Sequence, residues 1–391
     1  MTRVRALVVV VVTVVGVVLG VGVVVDQRTS APATASSRAP GSFVQAAGRS
    51  LTIDGQPFRF VGANIYDAAA SDSYSCNASI RLNGDDLVNT LRQLHERAGA
   101  TVLRFWAYQT YTKGGTDFSH VDRVIAAARD VGMRVLPVLE DGPGNCTTGN
   151  DGDAKSKFES DTWYTDGYKV PYGSARLSLR DYARVMAEHY RDNPTILGWS
   201  LMNEAETTQR TSDGHSVLVG FATDLASVVH GADPHHLLTV GTQSNGAPGA
   251  SGRDFTEVYS APGVTFSEVH DWGRYGSDTE AMPGGEGPTP PDAGSGQCES
   301  SSAQVGCSFA LAARIGTPLI VGEAGIEARD ANARNRRADL FRAKIEAASA
   351  AGAAGYLVWS VTTSITDGYD VQLTDDDPLL RVLAAQAAAL G

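Results

Sequence analysis

Thr195-Ile196-Leu197-Gly198-Trp199-Ser200-Leu201-Met202-Asn203-Glu204 is the stretch on which the reading of the fold turns. It is an apolar run that stops at an amide and a carboxylate. A run of this length suits a strand covered on both faces, as in a parallel sheet. Pro318-Leu319-Ile320-Val321-Gly322-Glu323-Ala324-Gly325 has the same form and also stops at a glutamate. A single Glu after an apolar run is ordinarily a cap or a solvated loop residue. Two of them, at equivalent places in a repeating pattern, read as strand ends that carry chemistry.

Working outward, strand-like and helix-like segments alternate. Leu51 to Phe58 reads as a small hairpin with Asp54-Gly55 as its turn. Phe58–Ile65, Ala100–Trp106 and Arg134–Leu139 read as the first three strands. Helices Gly84–Ala98 (Leu87, Leu91 and Leu94 on one face) and Ser119–Val131 (capped by Ser119) separate them. A helix over Ser178–Tyr190, capped by Ser178, leads into the fourth strand, Ile196–Glu204. Leu237–Thr242, Val264–His270, Leu319–Glu323 and Gly355–Ser360 follow as strands. Helical patterns lie at Ser216–His230, Asp254–Tyr259, Ala303–Ile315, Asn332–Ala350 and Pro378–Ala388. Eight such units imply a (β/α)8 barrel with enlarged loops at its carboxyl face. An open doubly wound sheet is the alternative, but Gly62-Ala63-Asn64 after the first strand is not a phosphate-binding turn. The Gly/Pro-rich segment Gly273–Gln297 is expected to form a mobile wall of the cleft.

The 391 residues carry a net charge of −12, which disfavours nucleic acid and anionic lipid but not a neutral polysaccharide. Residues 1–25 begin with Arg3 and Arg5 and continue as the uncharged run Ala6–Val25. That is a signal peptide or signal anchor, and the run is long enough to span a bilayer. The chain is therefore expected to be extracellular, secreted or tethered by this segment alone. Residues 26–45, rich in Ser, Thr, Ala and Pro, read as a linker, and 46–391 as the catalytic domain. The four cysteines suit two disulfides in an exported protein. Three pairings are possible; Cys298 and Cys307 share one loop, which leaves Cys76 for Cys146. No metal-ligand spacing occurs, no cofactor is implied, and the chain is expected to act as a monomer.

In such a barrel the functional residues sit at the carboxyl ends of strands. Those ends supply Asn64, Arg104, Trp106, Asn203, Glu204, His270, Trp272, Glu323 and Trp359. Cleaving a glycosidic bond needs a proton donor for the leaving oxygen and a carboxylate at the anomeric carbon. With Leu201-Met202-Asn203-Glu204 and Val321-Gly322-Glu323 at the fourth and seventh ends, the sequence resembles the family 5 glycoside hydrolases, retaining enzymes on (β/α)8 barrels. The resemblance covers about residues 48–390, and Arg104, His270 and Trp359 match accessory positions of the family. Arg104-Phe105-Trp106-Ala107-Tyr108, Trp163-Tyr164-Thr165 and the approach Tyr190–Ile196 are similar to its β-mannanase branch.

The resemblance implies Glu204 as general acid/base and Glu323 as nucleophile. Glu204 must then hold a proton near neutral pH, while Arg104 keeps Glu323 ionised. Asn203 is expected to donate to the sugar 2-OH, His270 to bond a substrate hydroxyl or a carboxylate, and Trp359 to form a platform under a sugar ring. Trp106, Tyr108 and Trp272 are further subsite candidates.

Three positions depart from the family pattern. Trp272 stands where a tyrosine is usual, its indole N–H still available to Glu323. Ala205, not Pro, follows Glu204. Glu268 lies two residues before His270, on the same strand face, and inside a barrel needs a partner such as Arg104 or His270. The expected activity is an endo-β-1,4-mannanase. An endo-β-glucanase or exo-β-glycosidase of the same family is the nearest alternative, and an inactive carbohydrate-binding barrel a remote one.

Overall fold

Asp54 and Gly55 both adopt positive φ (52° and 77°), the turn geometry whose twist suits a two-residue hairpin. In a computed structural model this hairpin opens the described chain, which comprises residues 41–142, 146, 162–173, 175–274, 279–362, 368–373 and 376–391. β1 (Val44–Ala47), β2 (Ser50–Ile53) and β3 (Gln56–Pro57) form its antiparallel sheet. Order begins before the expected linker boundary at Gln45, because Val44 is buried and Phe43 stacks on His235 at 4.7 Å. The apolar run Ala6–Val25 lies outside the described residues. Among the described residues, no helix is long and apolar enough to cross a membrane.

The barrel strands are β4 (Phe60–Asn64), β5 (Val102–Trp106), β6 (Arg134–Val138), β7 (Gly198–Ser200), β8 (Leu237–Thr239), β9 (Ser267–Arg274), β10 (Leu319–Glu327) and β11 (Ala353–Val358). They pair in parallel in the order β8-β7-β6-β5-β4-β11-β10-β9. The N–H of Thr265 to Leu238 O (2.9 Å) and that of His270 to Gln243 O (3.1 Å) bridge the remaining gap. This is the eight-unit barrel expected. β12 (Val361–Thr362) and β13 (Val371–Gln372) pair beyond it.

The fourth strand is shorter than its apolar run. Its regular ladder stops at Ser200, and the chain continues to Glu204 by single bonds such as Asn203 N–H to Glu140 O (2.6 Å). Around the barrel lie α1 (Gly84–Ala98), α2 (Ser119–Asp130), α3 (Leu179–Tyr190), α4 (Leu218–Ala232), α5 (Arg253–Tyr259), α6 (Val305–Ile315), α7 (Ala331–Ala350) and α8 (Pro378–Leu390). α1 buries Leu87, Leu91, Leu94 and Ala98 completely, each leucine contributing roughly 1.5–3 kcal/mol. Ser178 caps α3, its hydroxyl accepting from Asp181 N–H at 3.0 Å. Ser119 does not cap α2 as expected. Ser119 is its first residue, and the Asp117 carboxylate two residues earlier accepts from its N–H (3.1 Å) and hydroxyl (2.6 Å).

The barrel interior divides into two layers. At the floor Phe60, Val102, Leu136, Leu197, Leu237, Phe266, Ile320 and Leu357 cluster with Val44 and Leu51 of the hairpin. Above them the lining is polar, with Asn64, Arg104, Ser200, Glu268, His270 and Glu323 all buried. Cys76 pairs with Cys146 and Cys298 with Cys307, at Cα separations of 5.3 and 5.2 Å. Where described, the loop expected as a cleft wall packs on two helices: Gly306 N–H bonds Ala281 O (2.8 Å), and Gly284 lies on the α7 backbone at Ala343. Glycine at Gly284 permits that approach, so the segment lies along α6 and α7.

Candidate active site

Arg104 stands at the centre of the polar layer. It projects from β5 and is fully buried. Its Nε donates to Glu268 Oε1 (2.9 Å), Nη1 to Glu323 Oε1 (2.5 Å) and Asn64 Oδ1 (3.2 Å), and Nη2 to Asn203 Oδ1 (2.9 Å). Burial works against its charge, yet Glu268 and Glu323 outweigh it and raise its pKa above the usual range. Only a planar fork reaches this many acceptors. Arg104→Met, which leaves Glu268 and Glu323 buried without their cation, should therefore lose about 3–5 kcal/mol of stability; urea unfolding reads this.

Glu204 and Glu323 face each other over this arginine. One carboxylate oxygen of each and a His270 ring nitrogen all lie within 4.8 Å of one another. His270 Nδ1 is 3.0 Å from Glu204 Oε1 and 3.6 Å from Glu323 Oε2. A cation could bridge these three groups geometrically, but the Arg104 guanidinium already supplies positive charge there. Burial pushes the Glu323 carboxyl up, and the Glu204 and Glu268 charges add to this; His270 and Arg104 pull it back.

Burial also opposes charge on His270, but Glu323, Glu204 and Glu268 prevail and raise its pKa to about 9. The stability so gained is fully present below the free imidazole value of ~6.5 and is lost as pH rises through about 9. Urea midpoints should fall across that interval, and His270→Gln should lack the step.

The sequence candidates play unequal parts. Asn203 is held at both ends of its amide: Oδ1 accepts from Arg104, and Nδ2 donates to Asp141 Oδ1 at 2.9 Å. Its second amide hydrogen is left for another acceptor. Asn64 is fully buried, and its Nδ2 bonds the Gly322 carbonyl (2.9 Å), so its amide braces Arg104. Trp359 is half-buried and stacks on Tyr66, centroids 5.1 Å apart and planes 6° from parallel. Trp106 is only 7% exposed and lies between Tyr66 and Tyr108, so it backs that wall. Tyr108 is wholly buried, its hydroxyl without a partner among the described residues.

Trp272 makes no hydrogen bond to Glu323. It sits edge-on to Trp359 (5.5 Å) and Tyr369 (5.1 Å), its ring over Gly325, where a Cβ would meet it at 2.5 Å. Glu268 has the partners expected, Arg104 and Ser200 Oγ (2.8 Å), with His270 Nε2 at 3.5 Å.

Tyr66, Glu140 and Asp141 were not singled out from the sequence. Glu140 and Asp141 directly follow the expected third strand, Arg134–Leu139, so reading its end as the others were read would have found them. Burial pushes the Glu140 carboxyl up to about 7, partly offset by the Asp141 N–H. Tyr66 lies beyond the first strand and carries no comparable signal.

A barrel whose fourth and seventh strand ends oppose two carboxylates above a buried arginine has the framework of a glycoside hydrolase. Residues 55–364 match the family model "Cellulase (glycosyl hydrolase family 5)", and the chain belongs to that family. It is 25% identical over 286 residues to a probable mannan endo-1,4-beta-mannosidase C of Aspergillus terreus, covering 61% of this chain and 66% of that protein. It is 28% identical over 290 residues to mannan endo-1,4-beta-mannosidase 2 of rice, Oryza sativa subsp. japonica, covering 63% and 61%. The chain thus spans less than two thirds of the length of either relative. The solved endo-1,4-beta-mannanase of Rhizomucor miehei shares the fold, with a TM-score of 0.61 at 18% identity over 89% of this chain and 99% of that one.

Proposed function

We propose that this chain is a retaining endo-β-1,4-mannanase, with Glu323 as nucleophile and Glu204 as general acid/base. The observation that carries the mechanism is the closeness of the two carboxylates, whose oxygens come within 4.8 Å. Retaining enzymes hold their carboxyl groups about 5–5.5 Å apart, whereas inverting ones need ~6.5–9.5 Å to admit a water. The mannanases named among its relatives support the choice of substrate.

In the first step Glu323 attacks the anomeric carbon as Glu204 passes its proton to the departing glycosidic oxygen. In the second, Glu204 takes a proton from water, the water oxygen attacks the same carbon, and Glu323 is released. Arg104 holds Glu323 in line and offsets part of the burial that works against its charge. Asn203, fixed by Arg104 and Asp141, offers its free N–H to the sugar 2-OH, where hydrogen bonds strengthen in the transition state. Trp359, braced by Tyr66, lies under the sugar ring.

The disulfides suit an oxidising compartment. Residues 1–25 would carry the chain there as signal or anchor and 26–45 would tether it, leaving a monomeric catalytic domain outside the cell. Hydrolysis of β-1,4-mannan and β-1,4-glucan oligosaccharides, with product sizes and anomers followed over time, tests the reading. Short mannan fragments with the β-anomer formed first are expected. Preferential cleavage of glucan, release of single terminal sugars, or an inverted first product would each overturn part of it.

A further inference from the structure

Glu268 takes no part in the bond-making steps above, yet it is a fully buried carboxylate directly beneath them. Groups from several elements converge on it. Arg104 reaches it from β5 (2.9 Å), Ser200 from β7 (2.8 Å), and His270 from its own strand (3.5 Å). On β10 the facing residue is Gly322, where a Cβ would come within 2.2 Å of Glu268 Oε1, so the strand leaves room for the carboxylate. From α5, the Tyr259 hydroxyl bonds the Glu268 backbone carbonyl (2.9 Å). The other charges in reach are Glu323 and Glu204, each linked to it through Arg104 or His270.

We propose that Glu268 is a positioning residue that orients Arg104, holds His270 as a cation and so sets the number of protons the site glutamates share. The inference rests on the roles given above to Glu204 and Glu323. In the state ready for the first step, Glu323 and Glu268 are anionic, Arg104 and His270 cationic, and Glu204 protonated. The buried cluster is then neutral. Without the Glu268 charge the same state carries one excess positive charge, and the cluster relieves it by losing a proton from Glu204 or His270. Glu268 thus holds the acid in its working form from a distance, through two intermediaries.

The test compares wild type with Glu268→Gln and Glu268→Asp. The pH dependence of kcat/KM is measured on β-1,4-mannohexaose, and His270 is titrated by NMR in histidine-labelled protein without substrate. Glu268→Gln should move both limbs of the pH profile, and the His270 titration, to lower pH by about one unit, as loss of a neighbouring charge does. Glu268→Asp should return the limbs toward wild type even where its rate is reduced. A folded Glu268→Gln protein with unmoved limbs and unmoved His270 overturns the proposal. If that variant does not fold, the Glu268 carboxyl of wild type is followed by 13C NMR: it should stay ionised while His270 titrates, and a Glu268 protonated at pH 7 overturns the inference. Absence of wild-type activity on any β-1,4-linked oligosaccharide counts against the enzymatic reading, and the NMR titration still judges the Glu268 contacts.

Discussion

Glu323→Gln should leave the barrel folded and lower kcat by about 10⁴-fold or more, the scale on which removal of a nucleophile is felt. The amide keeps the volume of the side chain and an oxygen for Arg104 Nη1 at 2.5 Å. It lacks the negative charge that makes the carboxylate oxygen a nucleophile toward the anomeric carbon. Glu323→Ala with azide supplied should regain part of the rate and release a glycosyl azide of inverted configuration, because the small anion enters from the vacated face. Steady-state kinetics on mannan with NMR of the product settle both points. Unchanged turnover in the Gln variant would remove Glu323 from the mechanism.

Glu204→Ala should separate the two steps. On mannan, whose leaving group needs a proton, the loss should be ~10²–10⁴-fold. On a dinitrophenyl β-mannoside, whose leaving group departs unaided, the first step should stay fast. The second still needs a base, so the glycosyl-enzyme should accumulate as a burst. Azide should then discharge it with retained configuration, opposite to the Glu323→Ala result. Equal losses on both substrates would point to a structural defect. His270, at 3.0 Å from Glu204, is the residue through which such a defect would spread.

How much of this was legible beforehand depended on the range of the interactions involved. The α1 boundaries, Gly84–Ala98, agree with the sequence because leucine spacing and the Gly99 stop are local signals. Glu204 and Glu323 stood out because each interrupts an apolar strand at an equivalent place. The need of Glu268 for a partner followed from electrostatics alone, and Arg104 meets it.

Other features are set by tertiary contacts. Asp117 takes the capping role expected of Ser119 through a side-chain bond just before the helix. Trp272 turns toward Trp359 because Gly325 opens space beneath it. The bond from Asn203 to Asp141 joins chain segments far apart in sequence. The expected barrel already sets the third and fourth strand ends side by side, but the order of residues does not show that these two side chains meet.

Glu204 is held at φ +54°, a left-handed backbone that costs a side-chain-bearing residue roughly 1–3 kcal/mol. Glycine adopts it freely. Glu204→Gly should therefore melt higher than Glu204→Ala, though both lack the acid. The backbone tension that aims this carboxylate into the pocket is a standing tax on the resting enzyme, and a mutational drift toward thermal robustness at this position would purchase it with the reaction itself.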